Sequence, residues 1–310
     1  MPNCRLCHSP VELVLSKKDA KTGDHLEVRI CDGCGLVQQT DVPTSDELRV
    51  YYSHHYRADY KKTYSPKLKY VYRAGVAAKS RLLFIKQALG KEQFGSNLTL
   101  LDIGAGGGEF VYAATHAGFR ATGIEPNQGY SEFARDAYGI AVETKHLDQL
   151  EAKTYNFVTM YHVLEHMPDP ASVMERIYDL VSPGGHLVVE VPNIEQGDAS
   201  PANIFFKAHL YYFSAATLKS FASPFFEPLV IEKSGNLKIL FKRRPEKVTK
   251  VLPTKQDLEI TTKRLASKGW FEYIFLEAGW KKPFRRLLQT ARENRVKSMA
   301  PKSILNSILN

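Results

Sequence analysis

Leu101-Asp-Ile-Gly-Ala-Gly-Gly-Gly-Glu-Phe110 follows the apolar run Leu98-Thr-Leu and leads into the helical spacing of Phe110, Val111 and Ala114. The stretch reads as strand, glycine turn, helix. Gly104, Gly106, Gly107 and Gly108 have no side chain to hold a ligand off the backbone, and the helix start offers unpaired N–H groups to it. That is the arrangement of a nucleotide-cofactor site.

The pattern repeats on either side. Strands are expected over 98–103, 120–125, 140–144, 155–160 and 186–191, with helices near 108–117, 128–138 and 170–182. Such alternation predicts an α/β, Rossmann-like sheet of parallel strands covered on both faces. Two further strands, 229–233 and 237–241, are separated only by Ser234-Gly-Asn236, which forces them antiparallel. A parallel sheet finished by an antiparallel hairpin is not the usual NAD-binding arrangement.

Three segments flank the sheet domain, which we place at 97–245. Residues 1–42 hold all four cysteines, as Cys4-Arg-Leu-Cys7 and Cys31-Asp-Gly-Cys34, around the alternating strands Val11–Leu15 and Leu26–Ile30. Two Cys-x-x-Cys pairs at this spacing predict a zinc ribbon with a closed, structural four-thiolate Zn2+ site at Cys4, Cys7, Cys31 and Cys34. Two disulfides or a redox pair are the alternative. Residues 43–96 are expected to form a helical cap. Its residues 51–72 carry Tyr51, Tyr52, Tyr56, Tyr60, Tyr64, Tyr70 and Tyr72, too many hydroxyls for one core, so some should line the active site.

Residues 246–310 should form a basic helical tail. They carry fourteen Lys/Arg against six Asp/Glu, eight charges of the net +9, so the first 245 residues are nearly neutral. The tail mixes Trp270, Phe271, Phe275, Trp280 and Phe284 with cations, which suits an interfacial helix as well as one packed on protein. A tail of that composition predicts a phosphorylated or lipid-linked substrate, or peripheral membrane contact. No apolar run reaches the length of a membrane span, and Met1–Cys7 has no apolar signal core, so a cytoplasmic location is expected.

Four features narrow the cofactor. Asp102 lies at the end of the first strand. Glu125 ends the second, where a carboxylate can hold both hydroxyls of a ribose. The fourth strand runs into Tyr161-His-Val-Leu-Glu-His-Met-Pro-Asp-Pro170, and the fifth follows Ser182-Pro-Gly-Gly185 and ends at Val191-Pro-Asn193. Together these resemble the class I S-adenosylmethionine-dependent methyltransferases. The resemblance is to their small-molecule branch with a Leu-Glu-His segment, which includes ubiquinone-pathway O-methyltransferases and zinc-carrying deoxysugar C-methyltransferases. It runs over 97–193 and more loosely to His209-Leu-Tyr-Tyr-Phe-Ser214.

The resemblance implies S-adenosylmethionine as cofactor and assigns roles. Asp102, Gly104, Ala105 and Gly106 should face its methionine part and ribose, and Glu125 should bind the ribose diol. Pro126 and Asn127 should flank the adenine, with His146, Leu147 and Asp148 closing over it. Tyr161 and His162 should lie under the sulfonium. Asn156 stands where the family commonly has Asp. In the ubiquinone-pathway enzymes a Glu stands at the place of His162 and completes a cation site with the counterparts of Glu165 and His166. Two histidines and one carboxylate still suit a divalent cation, though less a hard Mg2+.

Methyl transfer is an in-line displacement, so the protein's work is to align the acceptor and remove its proton. His162 and His166 stand four apart, which on a helix puts them on one face. We expect His166 as general base, with Glu165 orienting a histidine or the substrate. Tyr56, His209 and Tyr212 are further candidates on the substrate side. The zinc module favours a sugar or glycan-linked hydroxyl or carbon as acceptor. The rival reading is a nucleic-acid methyltransferase using the ribbon and basic tail; the near-neutral sheet domain and the lack of an Asn/Asp-Pro-Pro-aromatic signature speak against it.

Overall fold

The computed structural model describes residues 3–44, 47, 66–90, 94–95, 97–197, 199–277 and 279–310. Tyr56 and the tyrosines from 51 to 64 lie outside the described residues. The chain begins with strands β1 (Leu13–Lys18), β2 (His25–Ile30) and β3 (Val37–Gln39), followed by helix α1 (Leu68–Leu89). Then come β4 (Thr99–Ile103), α2 (Glu109–His116), β5 (Arg120–Ile124), α3 (Gln128–Tyr138), β6 (Val142–Glu143), β7 (Tyr155–Tyr161), α4 (Pro170–Leu180) and β8 (Val181–Val191). Last are β9 (Tyr211–Tyr212), α5 (Ala215–Ala222), β10 (Phe226–Glu232), β11 (Leu237–Arg243), α6 (Lys255–Ser267), α7 (Lys282–Arg295) and α8 (Pro301–Leu309). They group into two compact units, each discontinuous in sequence.

The unit of residues 46–161, 179–188 and 284–310 holds the parallel sheet. Its strand order is β8-β7-β4-β5-β6, with β4 parallel to both β5 and β7. Leu100 and Leu101 are buried, as an apolar run covered on both faces requires. The chain leaves β4 towards β5 and β6, then returns to β7 on its other side. This reversal opens a crevice beyond the carboxyl ends of β4 and β7, where open α/β sheets bind ligands. The expected helix over 128–138 is observed with those bounds, because its ends are chemically marked. The Asn127 side chain accepts from the Tyr130 N–H, and Gly139 takes the left-handed conformation at φ 69°. A second core joins α1 to the end of the chain through Val71, Tyr112, Tyr138, Val296, Ile304 and Leu305.

The unit of residues 1–45, 162–178 and 189–283 holds a four-stranded antiparallel sheet ordered β1-β2-β3-β9. Its core is Leu26, Val28, Ile30, Val37, Ile194 and Tyr212. The predicted hairpin is present as β10 and β11, antiparallel from Phe226↔Arg243 to Glu232↔Lys238, and β11 neighbours β8. β8 starts earlier than expected. The Ser182-Pro-Gly-Gly185 turn is absorbed into the strand run, with Gly184 bending it at φ 74°. Among the described residues no helix is long and apolar enough to cross a membrane.

Candidate functional site

At the carboxyl end of β4 the chain turns through Gly104 at φ 72°, Ala105 and Gly106 at φ 56°, conformations that side chains disfavour. Glu125, at the end of β5, is buried. Its Oε2 accepts the Gly106 N–H at 2.9 Å and its Oε1 accepts the Asn127 N–H at 3.1 Å, so the carboxylate is locked between the two loops of the expected cofactor crevice. Gly123 makes this approach possible, because a Cβ there would lie 2.7 Å from Ala105 Cβ and 2.9 Å from Val111 Cγ2. Pro126 is half-buried beside Glu125, and Leu147 is half-buried on a 3-10 turn, Leu147–Gln149.

Asp102 is buried in β4 and accepts the Thr159 hydroxyl at 2.7 Å. Burial raises its carboxyl to about 7, against the opposing pull of the Thr159 hydroxyl and the Arg81 charge. Tyr161 closes β7; its ring packs edge-on against Phe110, and the Arg81 guanidinium stands 4.1 Å from its centroid. Asn156 accepts both the N–H and the hydroxyl of Thr99 at 2.9 Å and ties β7 to β4. It performs the strand-linking role without a charge.

The segment after β7 corrects one expectation. His162 and His166 do not share a helical face. His162 takes a left-handed conformation at φ 57°, and only Leu164–His166 forms a 3-10 turn before the chain reaches Pro168. The result is a cluster rather than a stripe. His162 Nδ1 lies 3.4 Å from Glu165 Oε1 and its Nε2 lies 3.2 Å from Glu190 Oε1. Burial opposes a charge on His162, but the two carboxylates outweigh it and raise this imidazole to about 9. Glu165 is fully buried. Burial would neutralise it, yet the contact with His162 and the charge of that ring hold it down to about 2.

His166 Nδ1 lies 2.5 Å from the Ala208 carbonyl, which can only accept, so the proton of a neutral ring sits on Nδ1 and Nε2 carries the lone pair. His209 packs edge-on to His166 at 5.0 Å. Burial holds His209 down to about 4, so it stays neutral at neutral pH. Glu165, His166 and His209 present one ligand atom each within 4.8 Å of one another, a set able to hold a divalent cation.

Four supporting residues escaped sequence reasoning. Glu190 is buried inside the run Leu187-Val-Val-Glu-Val191, where a lone carboxylate was the available signal. Asn236, in the predicted hairpin turn, places Nδ2 2.7 Å from Glu190 Oε1 and 3.0 Å from His162 Nε2. Gln39 is buried, and its Nε2 lies 3.1, 3.0 and 2.7 Å from the carbonyls of Phe206, Lys207 and His209. Asp19 holds the same loop by accepting the Lys207 N–H at 2.5 Å. Tyr212, expected near substrate, is a packing residue: its hydroxyl donates to the Phe206 carbonyl and accepts the Phe206 N–H.

The four-cysteine cluster lies in the same unit. Cys4 and Cys34 Sγ are 3.5 Å apart, and Cys7 and Cys31 Sγ 3.4 Å, beyond the roughly 2.05 Å of a disulfide. Tetrahedral zinc–thiolate sites have S···S edges of about 3.8 Å. Hydrogen bonds from Cys34 and Cys4 hold Cys31 down to about 2, while the Cys31 contact pushes Cys4 up to about 12. By itself the cluster stabilises a thiolate at Cys31; further thiolates call for a cation.

Residues 72–223 match the family model described as a methyltransferase domain. The chain is 37% identical over 114 residues to a ubiquinone biosynthesis O-methyltransferase of Hydrogenovibrio crunogenus, covering 34% of this chain and 45% of that one. It is 31% identical over 121 residues to the enzyme of that description from Alkalilimnicola ehrlichii, covering 36% and 48%. The chain thus spans about half the length of the curated relatives it matches. Among solved structures, the magnesium protoporphyrin IX methyltransferase of Synechocystis, with bound S-adenosylhomocysteine, is similar at a TM-score of 0.49 and 15% identity, over 64% of this chain and 99% of that one. Strand–glycine turn–helix geometry, a locked carboxylate after β5 and the family match agree: the chain carries a class I S-adenosylmethionine-dependent methyltransferase domain.

Proposed function

We propose that the protein transfers a methyl group from S-adenosylmethionine to a small molecule bearing a sugar hydroxyl or an acidic sugar carbon, with His166 as general base. The observation that carries this reading is the Ala208 carbonyl at His166 Nδ1, which places the proton of the neutral ring on Nδ1 and makes Nε2, 3.8 Å from Glu165 Oε1, the basic nitrogen. Asp102, the turn Gly104–Gly106 and Glu125 would hold the cofactor. Glu125 fits the ribose diol, because backbone N–H groups of both loops orient its two oxygens at the carboxyl end of β5. Asp102 fits a cationic group, because a nearby positive charge would keep this buried carboxyl ionised. When bound, the cofactor supplies an already activated methyl group. Tyr161 and His162 are consecutive residues, so the chain itself leads from the cofactor strand to the acid–base cluster.

Glu165 and Glu190 keep His162 charged, and Asn236, donating to Glu190 Oε1, orients that carboxylate. His209 is a second neutral imidazole able to bind an acceptor hydroxyl. The ubiquinone-pathway relatives suggest a phenolic hydroxyl as an alternative acceptor within the same chemistry. Beside the β10–β11 turn a cleft of about 790 Å³ is lined by Asn193, Lys233, Gly235, Lys263 and Arg264, among others. Glu195, Glu272 and Glu277 line it too and Arg264 is paired with the last two, so a phosphate-bearing or lipid-linked acceptor would be held at Lys233 and Lys263. We read the four cysteines as a structural Zn2+ site and the enzyme as cytoplasmic.

Radiolabelled-methyl transfer to nucleotide-linked sugars and to phenols, with calorimetric titration of S-adenosylhomocysteine, tests this. Product labelling that falls at least a hundredfold in His166→Ala, with cofactor binding retained, is the expected result. Equal labelling by His166→Ala would remove the proposed base, and absence of cofactor uptake by the folded protein would remove the proposed reaction.

A further inference from the structure

Helix α7 is packed with its polar side inwards. Lys282 and Gln289 are half-buried, and Glu293 and Val296 are buried, at positions i, i+7, i+11 and i+14 on one side. Glu293 is held there by Arg73, whose Nε and Nη2 donate to its two oxygens at 2.6 and 3.0 Å, and by Gln289 at 2.8 Å. The opposite side carries Phe284, Leu287, Leu288 and Ala291 at i, i+3, i+4 and i+7, all exposed. Phe284 is 63%, Leu287 69% and Leu288 62% exposed. A helix that folds for its own protein alone hides the apolar stripe and shows the charged one. This helix does the reverse, anchored along its length by a bidentate ion pair and, just past its end, by Val296 in the core.

The charges beside the stripe say what covers it. Between Glu277 and Glu293 the chain has Lys281, Lys282, Arg285, Arg286 and Arg292 and no carboxylate. Arg285 and Arg292 flank the stripe on one side, while Arg286, though exposed, lies nearer the packed side beside Glu293. Trp280, four residues before Phe284, is 54% exposed. A second copy of this chain would bring the same cations against these and be repelled. A nucleic acid would satisfy the arginines but offer nothing to two neighbouring leucines. Anionic lipid satisfies both: headgroups meet the arginines, acyl chains meet Phe284, Leu287 and Leu288, and tryptophan suits the boundary. The stripe from Phe284 to Ala291 is about 11 Å long at 1.5 Å per residue, suited to a helix lying in the plane of the surface.

We infer that α7 docks this protein on anionic membrane surfaces, with Phe284, Leu287 and Leu288 entering the headgroup–acyl boundary and Arg285 and Arg292 on the lipid phosphates. The inference stands apart from the proposed reaction. It places no substitution in the cofactor crevice or the histidine cluster.

The full-length protein is to be floated with vesicles of phosphatidylcholine alone and of phosphatidylcholine with one-third phosphatidylglycerol, at low and high salt. Binding to the anionic vesicles, weakened by salt and absent on neutral ones, is expected. Arg285→Gln/Arg292→Gln should weaken it about thirtyfold, and Leu287→Asp/Leu288→Asp should abolish it. All four positions are exposed, so unchanged circular dichroism and melting are expected and are the control. Trp280 emission should shift to the blue on anionic vesicles and not with either double variant. Wild-type binding retained by Leu287→Asp/Leu288→Asp would overturn the inference. So would a dimer in light scattering that this variant splits, or preference for an RNA oligonucleotide over the anionic vesicles.

Discussion

Gln39→Leu separates the two parts of the cysteine-bearing unit without touching either. Its Nε2 has two hydrogens for three carbonyls. On losing them, the Phe206 carbonyl keeps the Tyr212 hydroxyl at 3.0 Å, and the Lys207 carbonyl belongs to an exposed residue and can hydrate. The His209 carbonyl, with the shortest contact at 2.7 Å, loses most. One hydrogen bond lost at about 1 kcal/mol net and one half-buried acceptor left short at a further ~1 kcal/mol put the cost near ~2 kcal/mol. Gln39 N–H also donates to the Leu210 carbonyl, and Leu210 N–H to the Glu165 carbonyl, so local opening is legible at both amides. Native-state hydrogen exchange is the direct assay, because two compact units make a single unfolding midpoint ambiguous. Protection at Gln39 and Leu210 should fall about thirtyfold, with methyl transfer reduced and cysteine-bound metal unchanged. Gln39→Glu, which sets a carboxylate against three carbonyls, should fall further. Protection within twofold of wild type in both variants would refute the idea that this amide holds the His209 loop.

Four other outcomes follow from the same contacts. Affinity for S-adenosylhomocysteine should weaken as pH falls through about 7, where Asp102 gains its proton, and Asp102→Asn should bind weakly with no such pH dependence in calorimetry. His162 has its proton affinity raised on folding to about 9, so its stabilising contribution is complete below the unfolded value near 6.5 and is lost as pH rises through about 9; melting at pH 6 and pH 9.5 should differ more in wild type than in His162→Gln. Gly123→Ala should destabilise by about 1–3 kcal/mol and weaken cofactor binding, because its Cβ meets Ala105 and Val111 below 3 Å. Stripping metal with a mercurial and chelator should release one Zn2+ per chain and lower protection at Leu210 as Gln39→Leu does, since β3 pairs with β9 through Val37↔Tyr212 and Gln38↔Tyr211.

What the sequence disclosed depended on how local each determinant is. α3 was legible to the residue because Asn127 and Gly139 mark its ends, and the β10–β11 hairpin because a three-residue polar turn allows one connection. The His162–His166 segment was misread as helical, since four-residue spacing carries that meaning only where the backbone is helical. The positive φ of His162 breaks the period. Gln39 and Glu190 were missed for the opposite reason. Gln39 finds its partners some 170 residues away, and Glu190 sits in an apolar run whose periodicity describes the strand but not the one polar member. Pairings of that length are set by tertiary packing, and no window of sequence contains both ends.

The histidine cluster gains its chemical meaning from charge balance. Its three imidazoles have the same intrinsic proton affinity but are pushed apart: His162 up to about 9 by Glu165 and Glu190, His209 down to about 4 by burial. At neutral pH the first is a fixed cation and the second a fixed neutral ring, so neither exchanges protons readily in that range. His166 is the member whose tautomer is set by a backbone carbonyl rather than by a charge. Two carboxylates and one imidazolium leave this pocket with one negative charge in excess. A proton delivered to His166 Nε2 from an acceptor hydroxyl cancels that charge, so the cluster favours deprotonating the acceptor at the moment its oxygen must become nucleophilic. Substituting Glu190 by Gln would remove one carboxylate, lower the proton affinity of His162 and leave the pocket neutral before the reaction begins. The same electrostatics then predict a slower methyl transfer with an unchanged cofactor affinity, a split that a purely structural role for Glu190 would not produce.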